Sequence, residues 1–437
     1  MEGKNKDERA ILDKLGIASL NPMQERAHAA ITSDDEVILL SPTGTGKTIA
    51  FLLPIIATLD PDLKAVQALI LVPSRELATQ IEQVTREMGS GFKAIAVYGG
   101  RPGAKDRAEL KHPPAILIGT PGRVADHIRR ESIETTHIKT LVLDEFDKSL
   151  EVGFTDEMEE IVRALPSVKK KVLTSATQAA EIPSFIGIKN PTRLAFPADS
   201  TARLHLKSVL SPSRDKRETL VKLLRHIGKA NGIIFCNLKD SIQEVSDILT
   251  ENSIDHGCFY GGLEQVDRER ALIKFRNGTY NLLVATDLAA RGIDVPEMDF
   301  IVHYELPYSE EEFIHRNGRS ARMNSEGTAY ILIWEKDDMP TFISKAKPLT
   351  LSKKQQDLSS GWVTLYITGG RKDKISKGDI AGLFFKQGHL TKEELGVIEL
   401  KQDCAFVSVP QSKATKLIGV LNNARLKKKK VRISLID

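Results

Sequence analysis

The chain has 437 residues, of which 41% are hydrophobic and 27% charged, with a net charge of +4. That length exceeds a single typical domain and implies two to four. The composition is that of a soluble globular protein, and no apolar run approaches the ~20 residues that cross a bilayer.

The first ten residues, MEGKNKDERA, lack the apolar core of a secretory signal. Cys236, Cys258 and Cys404 lie far apart and form no metal-ligand pattern. A disulfide framework is therefore not expected, and a reducing cytoplasm is the expected compartment.

In chain order, Glu36–Leu40 is a short apolar run that leads into a glycine-rich segment. Ala68–Val72, Ala115–Ile118, Leu141–Leu143 and Val172–Leu173 are further runs of this kind. Helix-like stretches such as Arg75–Met88 and Asp156–Leu165 separate them. Strands alternating with helices predict an α/β fold, a parallel sheet covered on both faces. The rhythm restarts near Leu206. Ile233–Phe235, Leu282–Ala285, Phe300–Val302 and Ala329–Ile333 read as strands, and Ser241–Glu251 and Gln265–Asn277 as helices. The second half reads as a duplicate of the first without its glycine-rich loop.

Breaks at residues 190–201 and 345–360 give expected boundaries of 1–200, 201–345, a linker at 346–360, and 361–437. The last segment reads β-α-β-β-α-β: strands at Val363–Ile367, Leu395–Leu400, Ala405–Val409 and Val431–Ile436, helices at Ile375–Phe385 and Lys413–Asn422. That order predicts a small α/β sandwich of the RNA-recognition type. It carries 15 Lys/Arg against 7 Asp/Glu, whereas the first 360 residues carry 47 against 51. The asymmetry points to a polyanionic partner at the C-terminal end, or to a solvated basic surface.

Three motifs carry chemistry. In Ser41–Thr48, SPTGTGKT, Gly44 and Gly46 let the backbone approach phosphates, with the amides of Gly44, Thr45, Gly46, Lys47 and Thr48 aimed inward. Lys47 reaches the β and γ phosphates, and the Thr48 hydroxyl is a magnesium ligand. Ser41 stands where the general pattern has glycine.

Asp144 and Glu145 end an apolar strand. Such a pair is ordinarily a solvated turn, but behind a phosphate loop it reads as catalytic. Asp144 then holds the metal ion, and Glu145 orients and deprotonates a water. In His315–Arg322, HRNGRSAR, the three-residue spacing puts Arg319 and Arg322 on one face if the segment is helical. They serve as arginine fingers, or the segment is an exposed basic helix.

With these residues in view, the chain resembles the DEAD-box family of RNA helicases over Leu15–Ile333. The motifs run in the family's order: Gln24, SPTGTGKT, PSRELATQ (Pro73–Gln80), Gly99-Gly100, TPGR (Thr120–Arg123), DEFD (Asp144–Asp147), SAT (Ser175–Thr177), ATDLAARGID (Ala285–Asp294) and HRNGRSAR. The resemblance implies two tandem RecA-like domains that bind ATP, Mg2+ and RNA across the cleft between them. It implies that Gln24 reads adenine, Asp294 contacts ribose, and Ser175 and Thr177 link hydrolysis to RNA. It also implies that Arg75, Gly99, Gly100, Thr120, Arg123, Gly262 and Thr286 contact the sugar-phosphate backbone, a sequence-blind grip.

Three departures are visible: Phe146 for alanine, Ala321 for glycine, and Asp7 near the place of an upstream aromatic. Residues Trp362–Asp437 resemble the C-terminal RNA-binding domain of DbpA-type helicases, through LYITGGRKDKI, GDIAGL and KKKKVRISL. That implies docking on a hairpin of large-subunit ribosomal RNA. Tyr366 and Phe406 are candidate stacking aromatics or core residues, Cys404 takes a third such place, and Lys427–Lys430 is a candidate phosphate grip.

The expected activity is ATP-dependent local unwinding of RNA during large-subunit assembly, by a monomer with no membrane partner. The alternatives are an ATP-controlled RNA clamp without strand separation and a DNA-directed motor.

Overall fold

A computed structural model describes residues 8–42, 44–151, 153–176, 181–196, 203–287, 298–320, 326–343, 346–352 and 356–436. The expected contacts of Thr177, Asp294 and Arg322, and the positions of Asp7 and Ala321, fall outside these residues. The described chain divides into two compact units, one ending at residue 196 and the other beginning at Arg203.

The first unit is built on seven strands: β1 (Glu36–Leu40), β2 (Ala68–Leu71), β3 (Ala94–Val97), β4 (Ile116–Gly119), β5 (Thr140–Leu143), β6 (Lys170–Ser175) and β7 (Thr192–Ala195). Every pairing is parallel, in the order β3-β4-β2-β5-β6-β1-β7. Parallel neighbours need long crossovers, and helices such as Arg75–Met88 and Thr155–Arg163 supply them. β2, β4 and β5 are buried at all four positions, which is why their sequences (ALIL, ILIG and TLVL) are mostly aliphatic and do not alternate with polar residues. Each such buried Leu, Ile or Val contributes about 1.5–3 kcal/mol.

The second unit repeats the plan with β8 (Arg203–Ser211), β9 (Gly232–Phe235), β10 (Gly257–Phe259), β11 (Leu282–Ala285), β12 (Phe300–His303), β13 (Glu326–Trp334) and β14 (Lys347–Pro348). Its order is β10-β11-β9-β12-β13-β8-β14, again all parallel. Counted from its own first strand, this is the order of the first sheet, so the expected duplication holds at the level of topology.

The C-terminal module has β15 (Trp362–Ile367), β16 (Ile398–Leu400), β17 (Ala405–Pro410) and β20 (Ile433–Leu435) in an antiparallel sheet of order β16-β17-β15-β20. Helices Lys377–Lys386 and Gln411–Leu421 complete the β-α-β-β-α-β order. Capping explains where the first begins: Ser376 accepts from the Asp379 amide, and Asp379 reaches back to the Ser376 amide. The lysine-rich run forms an added hairpin of β18 (Arg425–Leu426) and β19 (Lys429–Lys430).

Candidate functional site

The carboxyl ends of β1, β6 and β5 lie side by side, and each delivers a functional segment. Ser41 follows β1 and donates its amide to the Ser175 carbonyl at the end of β6 (3.0 Å). The loop then turns through Gly44 (φ 81°) and Gly46 (φ 86°) into the helix Lys47–Ala57. Left-handed backbone at both points requires glycine. A side chain on Gly46 would also meet Gln24, whose Nε2 lies 2.4 Å from the position of such a Cβ.

Gln24 is itself buried and tied to this loop. It closes a capping box with Asn21, and its Nε2 donates to the Gly46 carbonyl (3.3 Å). Asn21 Nδ2 donates to the Thr45 carbonyl (3.1 Å). Ser41 Oγ and Thr45 Oγ1 are 2.8 Å apart, and Thr45 Oγ1 donates to the Pro42 carbonyl. Lys47 Nζ donates to the carbonyls of Ser41 (2.5 Å) and Pro42 (3.0 Å). The serine that departs from the usual glycine thus braces the loop from within.

Asp144 is buried at the end of β5, and Thr174 of the neighbouring β6 donates its hydroxyl to Asp144 Oδ1. The same hydroxyl accepts from the Glu145 amide (3.2 Å). Burial raises the Asp144 carboxyl above its ordinary value, against the Thr174 bond and the nearby Lys47 charge. Glu145 sits at φ 50°, a left-handed conformation uncommon for glutamate and frequent at functional sites. Phe146 is buried in the core with Leu143, Met158 and Ile161. Thr48 and Asp144 supply hydroxyl and carboxylate oxygens, a hard donor set that fits Mg2+.

A second group gathers at the carboxyl ends of β2, β3 and β4. Arg75 opens the helix after β2, and its guanidinium lies over the glycine pair after β3. A Cβ on Gly100 would stand 2.2 Å from Arg75 Nη1, and one on Gly99 would stand 3.5 Å from Nη2. Arg123, one turn past Thr120, donates from Nε to the Tyr98 carbonyl (3.2 Å) and from Nη2 to the Arg101 carbonyl (2.5 Å).

Sequence reasoning misses the group beneath. Asp106 is fully buried and pairs with Arg101, with Arg123 (3.6 Å) and with His127 (3.2 Å). Burial disfavours the Arg101 cation, but its bond to Glu109 and the Asp106 charge outweigh this and raise its pKa. The only signal for Asp106 in the sequence is an acidic residue six positions beyond the glycine pair.

In the second unit, Gly262 follows β10, and Thr286 follows β11 with its amide near the Phe259 carbonyl (3.4 Å). The helical face expected for HRNGRSAR needs correction. The helix Glu310–Asn317 stops before Arg319, because Gly318 caps it and Ser320 bridges to Met298. Arg319 is buried in the following turn, where its carbonyl accepts from the Met298 amide. Arg316 is completely buried, with two bonds to Asp287 and one each to the Glu305 carbonyl and Asn237 Oδ1.

In the module, Tyr366 and Phe406 face each other across β15 and β17, with ring centroids 5.6 Å apart. Phe406 is only 8% exposed and Tyr366 is half-buried.

A phosphate loop with an acidic pair on the next strands but one, repeated as a sheet without the loop, defines a P-loop nucleotide triphosphatase of duplicated α/β architecture. Family models match three stretches: DEAD/DEAH box helicase over residues 21–185, helicase conserved C-terminal domain over 215–324, and DbpA RNA binding domain over 364–435. The chain is 33% identical to an ATP-dependent RNA helicase DbpA of Escherichia coli, over 97% of this chain and 96% of that one. It is 29% identical to the DbpA of Bacillus subtilis over the same shares. Among solved structures, S. cerevisiae Dbp5 bound to RNA and ADP BeF3 matches with a TM-score of 0.65. That match is at 27% identity over 75% of this chain and 88% of that one.

The chain belongs to the DEAD-box family of ATP-dependent RNA helicases, with the DbpA RNA-binding domain at its C-terminal end. It is an RNA-dependent ATPase. Among the described residues, no helix is long and apolar enough to cross a membrane.

Proposed function

We propose that this helicase locally unwinds or remodels structured ribosomal RNA during assembly of the large subunit, anchored on an RNA hairpin by its C-terminal module. The DbpA domain match and the basic excess of that module support the target class. The observation that carries the chemistry is the placement of the Ser41–Thr48 loop after β1 and of Asp144 and Glu145 after β5, on the same edge of the sheet with only β6 between them.

In this reading Lys47 exchanges its bonds to the Ser41 and Pro42 carbonyls for the β and γ phosphates of ATP. Gln24 reads adenine: its two local bonds use one donor and one acceptor of an amide that offers two of each. Thr48 and Asp144 hold Mg2+, which supplies charge neutralisation on the phosphates. Glu145 orients a water and takes its proton. Arg319 and Arg322 neutralise the charge that develops on the transferred phosphoryl group, and Asp294 contacts ribose.

Arg75, Gly99, Gly100, Thr120 and Arg123 grip one RNA strand by its backbone, with Gly262 and Thr286 of the second unit. The domain limits are 1–200, 201–345 and 361–437, joined by a linker at 346–360. The protein works as a monomer in the cytoplasm.

The test is strand displacement from a duplex tethered to a ribosomal hairpin, with ATP hydrolysis followed in parallel. Release of the short strand with ATP supports the reading. Hydrolysis and persistent binding without release identifies a clamp, and equal stimulation by DNA identifies a DNA motor.

A further inference from the structure

The order of the first sheet sends the two ends of a bound nucleotide to opposite sides of the phosphate loop. On one side of β1 lie β6 and then β5, which ends at Asp144 and Glu145; on the other side lies β7. The γ-phosphate and its attacking water belong within reach of Glu145. The adenine end therefore leaves the loop on the β7 side. The place of Gln24 agrees with this, since its helix Pro22–Ser33 packs both on the helix Lys47–Ala57 and on β7.

Phe196 stands at the end of β7. Its amide donates to the Leu40 carbonyl (2.8 Å), one residue before the loop begins at Ser41. The half-buried ring rests on the core of the first unit. The guanidinium of Arg26 lies over that ring, 5.0 Å from its centroid. Arg26 itself is exposed. A helical side chain leans toward the N-terminus of its helix, which here is the turn that holds Gln24 against the Gly46 carbonyl.

A guanidinium is planar and weakly hydrated. With one face on an aromatic ring, it offers the other to a second flat π-system, and a purine is one. We propose that Arg26, backed by Phe196, is the platform on which the base of ATP stacks while Gln24 reads that base's edge. The two jobs differ in kind. An amide tells one base from another by its donors and acceptors, whereas stacking is indifferent to identity because every base has a π-face. The platform supplies affinity and Gln24 supplies choice. This assignment rests on the reading of Gln24 given above, because that residue fixes where the base lies.

The test is calorimetric titration of the full-length chain with ADP, GDP and pyrophosphate, each with Mg2+. Arg26→Lys keeps the charge but not the plane, and Phe196→Leu keeps apolar bulk but not the ring. Each should weaken ADP and GDP alike by about fivefold or more, the lower end of what a stacked base is worth. Pyrophosphate, which has no base, should stay within about twofold, and Phe196→Tyr should bind ADP as the native protein does. ADP affinity within about twofold of native in either of the first two variants overturns the platform. So does an equal loss for pyrophosphate, which would mean that the phosphate loop itself had shifted.

Gln24→Ala separates the two claims, and it should bring the ADP and GDP affinities together. An unchanged ratio would sink the reading of Gln24, with the stacking result still standing on the losses in Arg26→Lys and Phe196→Leu.

Discussion

Arg316 grips Asp287 with two parallel hydrogen bonds, Nε to Oδ1 at 2.8 Å and Nη2 to Oδ2 at 2.5 Å, while its own side chain is fully buried. The pair ties the helix Glu310–Asn317 to the end of β11, one residue beyond Thr286. His303 stacks on Phe235 with ring centroids 6.4 Å apart, and the Arg316 guanidinium lies 5.1 Å from the centroid of that same ring. Burial, and then the Arg316 charge, push its imidazole down to about 3, so it stays neutral and donates from Nε2 to Asn317 Oδ1.

Removing one partner of such a pair strands the other charge in the core. Asp287→Ala should therefore cost the second unit about 3–5 kcal/mol. Arg316→Lys keeps the charge but loses the fork, and should cost less. Urea unfolding followed by amide exchange in β11 and β12 checks both, and an unchanged midpoint for Asp287→Ala would contradict the assignment.

Glu145 is the proposed base, and it sits at a left-handed φ of 50°. Glu145→Gln should lower RNA-stimulated phosphate release by ~10²–10⁴-fold, the usual worth of a general base, with thermal stability near that of the native protein. Lys47→Ala should abolish turnover by removing the phosphate contact. Wild-type rates in Glu145→Gln would refute the role.

Asp144 opposes stability and function. Because burial raises its carboxyl, the folded protein holds that proton to higher pH than the unfolded chain does. Its contribution to stability therefore falls as pH rises from the unfolded value, ~4, through the native one. Asp144→Asn removes that loss. It should melt a few degrees higher than wild type at pH 7, converge with it below pH 4, and have no ATPase. Calorimetry across that range tests the sign, and a lower melting point at pH 7 would reverse it.

The buried strands are legible in sequence because parallel β2, β4, β5, β9 and β11 have no polar face to confuse the pattern. β3 and β10 escape notice, each being only three or four residues of mixed small and apolar side chains. The nucleotide loop and acidic pair are legible because their chemistry fixes both residue type and spacing. Arg316 and Asp106 are not, because burying a charge depends on partners far away in the chain. Arg316 meets Asn237, which is 79 residues distant, and Asp106 meets His127, which is 21 distant.

Asp106 should act on RNA affinity through the arginines it holds. Asp106→Asn keeps the volume and some hydrogen bonding but loosens Arg101 and Arg123. The half-saturating RNA concentration should rise about tenfold, the equivalent of ~1.4 kcal/mol, while the ATPase rate at saturating RNA stays within about twofold. A lowered maximal rate with unchanged half-saturation would place Asp106 in catalysis instead.

The lysine run divides its charges. Lys427 pairs with Asp379 (2.9 Å) and Lys429 with Asp373 (2.8 Å), whereas Lys428 and Lys430 are exposed on the hairpin. The bonds from Ser376 and Lys427 hold the Asp379 carboxyl down at about 2, so that pairing persists through any physiological pH. A cation already spent on a carboxylate releases fewer counterions from RNA than an unspent one does. The salt slope of hairpin binding should therefore drop by about one to two for Lys428→Ala with Lys430→Ala, since each single-strand phosphate contact contributes about 0.7 and each duplex one about 0.9. Lys429→Ala alone should leave the slope nearly as it was, while loosening the Gly370–Lys374 turn that Asp373 caps. Equal slopes for the double variant and the native protein would move the phosphate grip off this hairpin.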